Sequence, residues 1–175
     1  MNGLGIAVER LDAVSVAAAI PDLSRILIEC VNGGAGVGFM APLAPEKATA
    51  YWRNEVLPAV STGDTALLVA KTGSQIAGSV QLLLRMRENQ PHRGEIAKLL
   101  VVPAARRQGI ARALMESAQA HAAKAGKTLL MLDTADDGAE RLYRSMGWQP
   151  IGVVPGFALT PHGQLCATTF LYKTL

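Results

Sequence analysis

A single α/β domain, with helices layered on a mixed sheet, is the architecture that these 175 residues point to. Half of the residues are hydrophobic and 18% are charged, which favours a packed core over a disordered chain. The apolar pattern alternates between helical spacing and short apolar runs, so helices and strands interleave. The elements read off that pattern run in the order two helices, three strands, helix, strand, helix, two strands, which is a mixed α/β layer fold. No internal repeat or linker divides the chain.

The spacing of Leu23, Ile26, Leu27 and Cys30 predicts a helix over about 11–30, with Pro21 near its start or dividing it. The glycine-rich stretch NGGAGVGFM (32–40) reads as a loop, and a second helix follows from about Pro45, a residue well placed in a first turn, to Ser61. ALLVA (66–70) and QIAGSVQLLLRM (75–86) form a hairpin around the KTGS turn. EIAKLLVVP (95–103) is a third strand, and its continuous apolar run implies burial on both faces. Ile110, Ala111, Leu114, Met115 and Ala118 make one stripe of a helix that Gly126 terminates. TLLMLDT (128–134) is a strand. Ala139, Leu142, Tyr143 and Met146 set out a short helix closed at Gly147. Strands near 149–154 and 166–173 flank the loop PGFALTPHGQ.

Several function classes lose support at once. The formal charge of +3 is mild, its Lys and Arg residues are dispersed, and aromatics make up 5% of the chain, so no nucleic-acid partner is expected. No apolar run reaches the roughly 18 residues that cross a bilayer. Cys30 and Cys166 lack CxxC or metal-ligand spacing and read as reduced thiols of a cytoplasmic protein; no metal is expected. AVSVAAAI (13–20) is short and preceded by Glu9 and Asp12, which argues against an export signal.

Three stretches compete as an anion-binding loop. NGGAGVGFM has no GxGxxG and follows a helix, so it suits a substrate loop better than a nucleotide cradle. AGKT (125–128) closes a helix, where the backbone dipole is negative. RRQGIA sits between a buried strand ending at Pro103 and a helix beginning near Gln108. The free N–H groups of a helix's first turn bind phosphate. Gly109 permits close backbone approach, and Arg106, Arg107 and Arg112 add charge; the alternative is a solvated basic helix start.

R-x-x-G-x-A, present as Arg106, Gly109 and Ala111 after a strand ending in VVP, resembles the pyrophosphate-binding signature of the GNAT superfamily of acetyltransferases. AERLYRSMGWQPIG (139–152) resembles the superfamily's second motif. ECVNGGAGVGFMAPL, EIAKLLVVPAARRQGIARALM, LLMLDT and PGFALTPHGQLCATTFLYKTL resemble the tabtoxin-resistance acetyltransferases in particular. The resemblance implies a mostly antiparallel sheet of six to seven strands flanked by about four helices, with acetyl-coenzyme A as cosubstrate. It implies cofactor contacts from Leu100, Val101 and Val102, where the family's strand splays, and from Arg106, Arg107, Gln108, Gly109, Ile110, Ala111 and Arg112. Asp136 stands where many members carry an asparagine that holds the cofactor arm, and Arg107 stands where glycine is frequent.

Acetylating an amine needs a base to free its lone pair, donors to polarise the acetyl carbonyl and an acid for the leaving thiolate. Glu95, at the family's glutamate position, and Asp133, closing the next strand, are both candidates for the base. Tyr143 matches the family tyrosine that protonates the thiolate. Gly34, Gly36, Phe39, Met40 and Phe157 are implied over the acceptor site. The expected acceptor is a small-molecule amine, such as a toxin or antibiotic. A protein N-terminus or lysine, or a silent acyl-coenzyme A sensor, is the alternative. Family members often pair, which suggests a homodimer.

Overall fold

The computed structural model describes residues 5–175, and it opens with a strand that the apolar pattern does not reveal. β1 (Ile6–Leu11) pairs antiparallel with β2 (Thr65–Thr72), at one edge of a seven-stranded sheet. Only Leu11 of its residues is buried, so it carries no one-sided apolar pattern to be read. Asp12 then caps α1 (Ala13–Asn32): its carboxylate accepts from the Ser15 N–H at 2.8 Å. Pro21 neither starts nor breaks this helix. Pro21 and Ala17 lie on the exposed side, so the carbonyl left without a partner faces water.

The second helical segment holds its predicted limits but not a uniform geometry. α2 (Pro45–Tyr51) passes into a π-helical turn (Trp52–Val56) and then into α3 (Leu57–Ser61), with helical backbone throughout. β3 (Gln75–Leu83) and β4 (Arg93–Val101) continue the antiparallel order from β2. After α4 (Ile110–Lys124), β5 (Leu129–Thr134) lies parallel to β4, α5 (Asp137–Ser145) follows, and β6 (Gln149–Leu159) and β7 (Leu165–Thr174) close the chain. The sheet order is β1-β2-β3-β4-β5-β7-β6.

The predicted loop PGFALTPHGQ is a correction. Residues through Leu159 belong to β6, which bulges between Val154 and Ala158 before a tight turn into β7. Pro155 and Gly156 hid the second half of a strand whose side chains are all exposed.

Both faces of the sheet are covered. Leu23, Ile26 and Leu27 of α1 are fully buried, as are Ile110, Leu114 and Met115 of α4. A Cβ on Gly78 would meet Ile110 and Leu114, whereas Gln81, three residues on, reaches Tyr51. An odd spacing in a strand changes face, so α4 and the 45–61 segment cover opposite sides.

Candidate functional site

β4 and β5 pair only at Arg93↔Leu129, Gly94↔Leu130 and Glu95↔Met131, and then separate. Against β3, Gln81 pairs with Ala97 and Ser79 with Leu100, so β4 carries one extra residue between them. That bulge holds Lys98 at φ 52°, a left-handed conformation uncommon for a residue with a side chain. The sheet therefore opens beside Lys98–Val101.

The opening offers a backbone donor. Val102 N–H bonds to Ala77 O on β3 at 3.0 Å, so the preceding residue, Val101, points its N–H and C=O away from β3. The Val101 carbonyl accepts from Arg106 Nε at 3.3 Å and from Cys30 Sγ at 3.4 Å. Arg106 thus braces the wall of the opening. Burial pushes the Cys30 thiol up, against the opposing charge of Arg106.

At the same end, α4 begins without a side-chain cap. Gly109 is its N-cap at φ 86°, and Arg107 also has positive φ, at 62°. This turn leaves the first N–H groups of α4 and those leading into it, from Arg107 to Arg112, without a backbone or side-chain acceptor among the described residues. Arg107, Gln108 and Gly109 are exposed, while Ile110 is buried beneath them. Uncapped N–H groups, a positive helix end and two nearby guanidinium groups suit a pyrophosphate. Gln108 turns its amide to Ala104 O at 3.4 Å. Arg112 points elsewhere: it bonds Ser145 Oγ at 2.8 Å and ties α4 to α5. Asp136 is occupied as the N-cap of α5, accepting from Ala139 N at 2.6 Å.

Strand alternation collects the charged candidates on one face. Glu95 stands opposite Leu83 and beside Met131, so Gln81, Glu95, Met131 and Asp133 all lie on the side covered by the 45–61 segment. Glu95 is held by Arg93 at 2.6 Å, in a half-buried pair. Asp133 is exposed and has no ion-pair partner among the described residues; partial burial of its carboxyl raises its pKa while the charge of Lys98 lowers it. Tyr143 is buried beside Trp148, with ring centroids 6.1 Å apart. Burial, then Asp136 and Asp133, raises its pKa, so it is a neutral hydroxyl at physiological pH.

Two aromatic walls flank this face. Phe39 and Tyr51 meet edge to face at 5.2 Å, and Gln81 Nε2 donates to the Tyr51 hydroxyl at 2.9 Å. On the other side Phe170 is the cross-strand partner of Asp133, and Phe157, in the β6 bulge, packs edge-on against it at 5.2 Å. The glycine-rich loop is fixed at both ends. Leu43 N bonds Asn32 Oδ1 at 3.0 Å, and Ala41 N bonds Pro161 O in the β6–β7 turn at 2.9 Å. Gly34 and Gly36 are exposed near the start of this loop and Met40 is 44% exposed beside Phe39.

Lys98, Tyr51, Gln81 and Phe170 were not singled out by sequence reasoning. A lysine inside an apolar strand run was the one available signal.

The model of the acetyltransferase (GNAT) family matches residues 37–148. This chain belongs to the GNAT acetyltransferases. A curated member, an uncharacterized N-acetyltransferase of the hisH-hisA intergenic region of Azospirillum brasilense, is 31% identical over 133 residues, 75% of this chain and 76% of that protein. Among solved structures, the ribosomal-protein-alanine N-acetyltransferase from Brucella melitensis superposes with TM-score 0.80 at 22% identity, over 97% of this chain and 99% of that one. A phosphinothricin acetyltransferase from Sinorhizobium meliloti, solved in complex with AcCoA, gives TM-score 0.80 at 19% identity, over 97% and 88%. At these identities the likeness is one of fold. Among the described residues no helix is long and apolar enough to cross a membrane.

Proposed function

We propose that this protein transfers an acetyl group from acetyl-coenzyme A to the amine of a small molecule, within a ternary complex. The observation that carries the reading is the uncapped start of α4 beside the gap between β4 and β5, with Asp133 on β5 and the buried Tyr143 close enough to feel its charge. The residues present fit the cofactor: Arg107 to Ala111 would hold the pyrophosphate through backbone N–H groups, and the gap would admit the pantetheine arm. Bound acetyl-coenzyme A supplies the thioester, whose carbonyl carbon bonds to the acceptor nitrogen as its carbon–sulfur bond breaks. Val101 N–H donates to the carbonyl oxygen, where negative charge develops. Asp133 takes the proton that the amine sheds, and the Tyr143 hydroxyl gives its proton to the leaving sulfur. Glu95, engaged by Arg93, orders the closed end of the gap.

A small acceptor is favoured because the Ala41–Pro161 bond joins the glycine-rich loop to the last hairpin and closes one end of the acceptor side. A toxin or antibiotic amine fits this reading. For the assembly, we infer a homodimer through the β6 edge, whose apolar side chains are exposed.

Release of coenzyme A, measured over a panel of amines, amino-acid toxins and peptides, tests the reading. Turnover of a small amine, lost in Asp133→Asn and retained in part in Glu95→Gln, is expected. No acetyl-coenzyme A binding by calorimetry, or turnover confined to peptides, would sink it.

A further inference from the structure

Lys98 is a charged side chain that the proposed chemistry has not used, and the β4 bulge gives it an unusual aim. Ala97 pairs with Gln81 and so lies on the side of the sheet covered by the 45–61 segment. In a regular strand the next residue would point to the α4 side. The extra residue and the left-handed conformation at φ 52° turn Lys98 back instead, and its Nζ lies 5.7 Å from the centroid of the Tyr51 ring. The same atom stands 3.8 Å from where a Cβ on Gly38 would be, against the glycine-rich loop on the acceptor side.

The other part-buried lysines of this chain have partners. Lys127 donates to Leu84 O and Pro91 O, both at 2.7 Å, Lys173 donates to Met146 O, and Lys71 pairs with Glu9. Lys98 has no hydrogen-bond acceptor among the described residues and no carboxylate within 4.0 Å. Asp133 and Glu55 are near enough for their charge to favour the ammonium, but neither reaches it. A half-buried ammonium without a partner is costly, so its retention here points to a ligand that supplies one.

A second donor stands beside it without an acceptor. Tyr51 is held by Phe39 and Trp52, and its hydroxyl accepts from Gln81 Nε2 at 2.9 Å. No group among the described residues takes the hydroxyl's own proton. The exposed Lys47 adds charge farther out, its Nζ 5.9 Å from the centroid of the Phe39 ring, so an ammonium stands by each ring of the edge-to-face pair. Negative charge on this face is placed elsewhere: Asp133 is on β5, and Glu95 is engaged by Arg93. An acceptor with its amine toward Asp133 and an acid group toward Lys98 matches that division of charge, whereas a simple amine leaves Lys98 bare.

We propose that Lys98, with the Tyr51 hydroxyl beside it, binds a carboxylate of the acceptor, so that the small molecule acetylated is an amine that also carries an acid group, as amino acids do. This rests on the reading in which the acceptor amine is acetylated at the gap between β4 and β5, and it adds a substrate class to that reading.

Matched pairs test it: an amino acid and its carboxamide, which differ only in the acid group. Coenzyme A release is measured for a set of such pairs in the wild type, Lys98→Met, Lys98→Gly and Lys98→Arg. Lys98→Gly removes the charge and suits the left-handed backbone, so the charge is still tested if Lys98→Met does not fold. Removing the charge is expected to lower kcat/KM for the acid about tenfold or more beyond its effect on the carboxamide, chiefly through KM, with Lys98→Arg closer to wild type. Comparing the two losses cancels the difference in amine basicity between acid and carboxamide. Acetyl-coenzyme A affinity, by calorimetry, should not move. Equal losses on acid and carboxamide overturn the proposal.

Binding is followed apart from turnover, by carbon NMR of the lysine side chains with Lys98 assigned from its variants. The N-acetylated forms of the same amino acids and carboxamides are added to the full chain with coenzyme A bound. A shift of the Lys98 signal with the acids alone is expected; no shift, or the same shift with both, overturns the proposal. A shift with the acids and no turnover of any amine leaves the carboxylate site standing and removes the acetyl-transfer reading instead.

Discussion

Asp133 and Tyr143 differ chemically because their surroundings do. The Asp133 carboxyl is displaced upward, first by burial, so the acid limb of kcat/KM should lie above the ordinary aspartate range. A folded-state pKa above the unfolded value means that ionisation opposes folding. The group's stabilising contribution is complete below the unfolded pKa and is lost as pH rises through the folded one. Asp133→Asn should therefore melt no lower than wild type at pH 7, with any gain vanishing in acid, while turnover falls about a hundredfold or more. Thermal melts at two pH values and a coenzyme A release assay check both. Tyr143→Phe keeps the ring that packs on Trp148 and removes only the hydroxyl. Turnover should drop about tenfold to a hundredfold, with acetyl-coenzyme A affinity unchanged by calorimetry. Asp133 drew attention by closing a strand, whereas the helical period alone reads Tyr143 as core and only the family resemblance singles it out. The Arg93–Glu95 pair, which sets Glu95 apart from Asp133, had to be seen in the structure.

Two glycines set the geometry of the site, one in a turn and one in a strand. Gly109 opens α4 at φ 86°, where a β-branched side chain is strained and would distort the turn that presents the free N–H groups. Gly109→Val should cost about 2 kcal/mol in denaturant unfolding and weaken acetyl-coenzyme A binding at least tenfold. On β3, a Cβ at Gly78 would lie 2.6 Å from Leu100 O and 3.2 Å from Ile110 and Leu114. Gly78→Ala must therefore move the β4 backbone at the gap, and a loss of about 1–3 kcal/mol is expected, read as a lower melting temperature. The strand-to-helix setting of RRQGIA made the α4 turn visible in advance. The β4 bulge was not visible, because EIAKLLVV reads as an unbroken strand and a bulge is defined by the strand opposite.

At the scale of the whole molecule, the two sheet edges are unlike. β1 carries Glu9 and Arg10 and is paired by charge, with Lys71 on Glu9, whereas β6 presents Ile151, Val153, Val154, Phe157 and Leu159 to solvent. Val153 is 60% exposed and Leu165, at the end of β7, 73%. Exposed apolar side chains on an edge strand favour the association proposed above. Sedimentation equilibrium should show a dimer that Val153→Lys converts to monomer; a monomeric wild type would refute the pairing. Sequence patterning found a strand near 149–154 but neither its continuation to Leu159 nor its place at the edge, since a strand exposed on both faces has no inside to alternate with.

The motif at 106–111, the order of most elements and the positions of Asp133 and Tyr143 could all be read along the chain. Each depends on local chemistry: a helix start, an apolar period, a residue closing a strand. The gap between β4 and β5, the left-handed Lys98 and the facing aromatic walls depend on contacts between segments distant in sequence. Their neighbours are chosen by sheet register and helix packing, so they took shape only once the chain was folded.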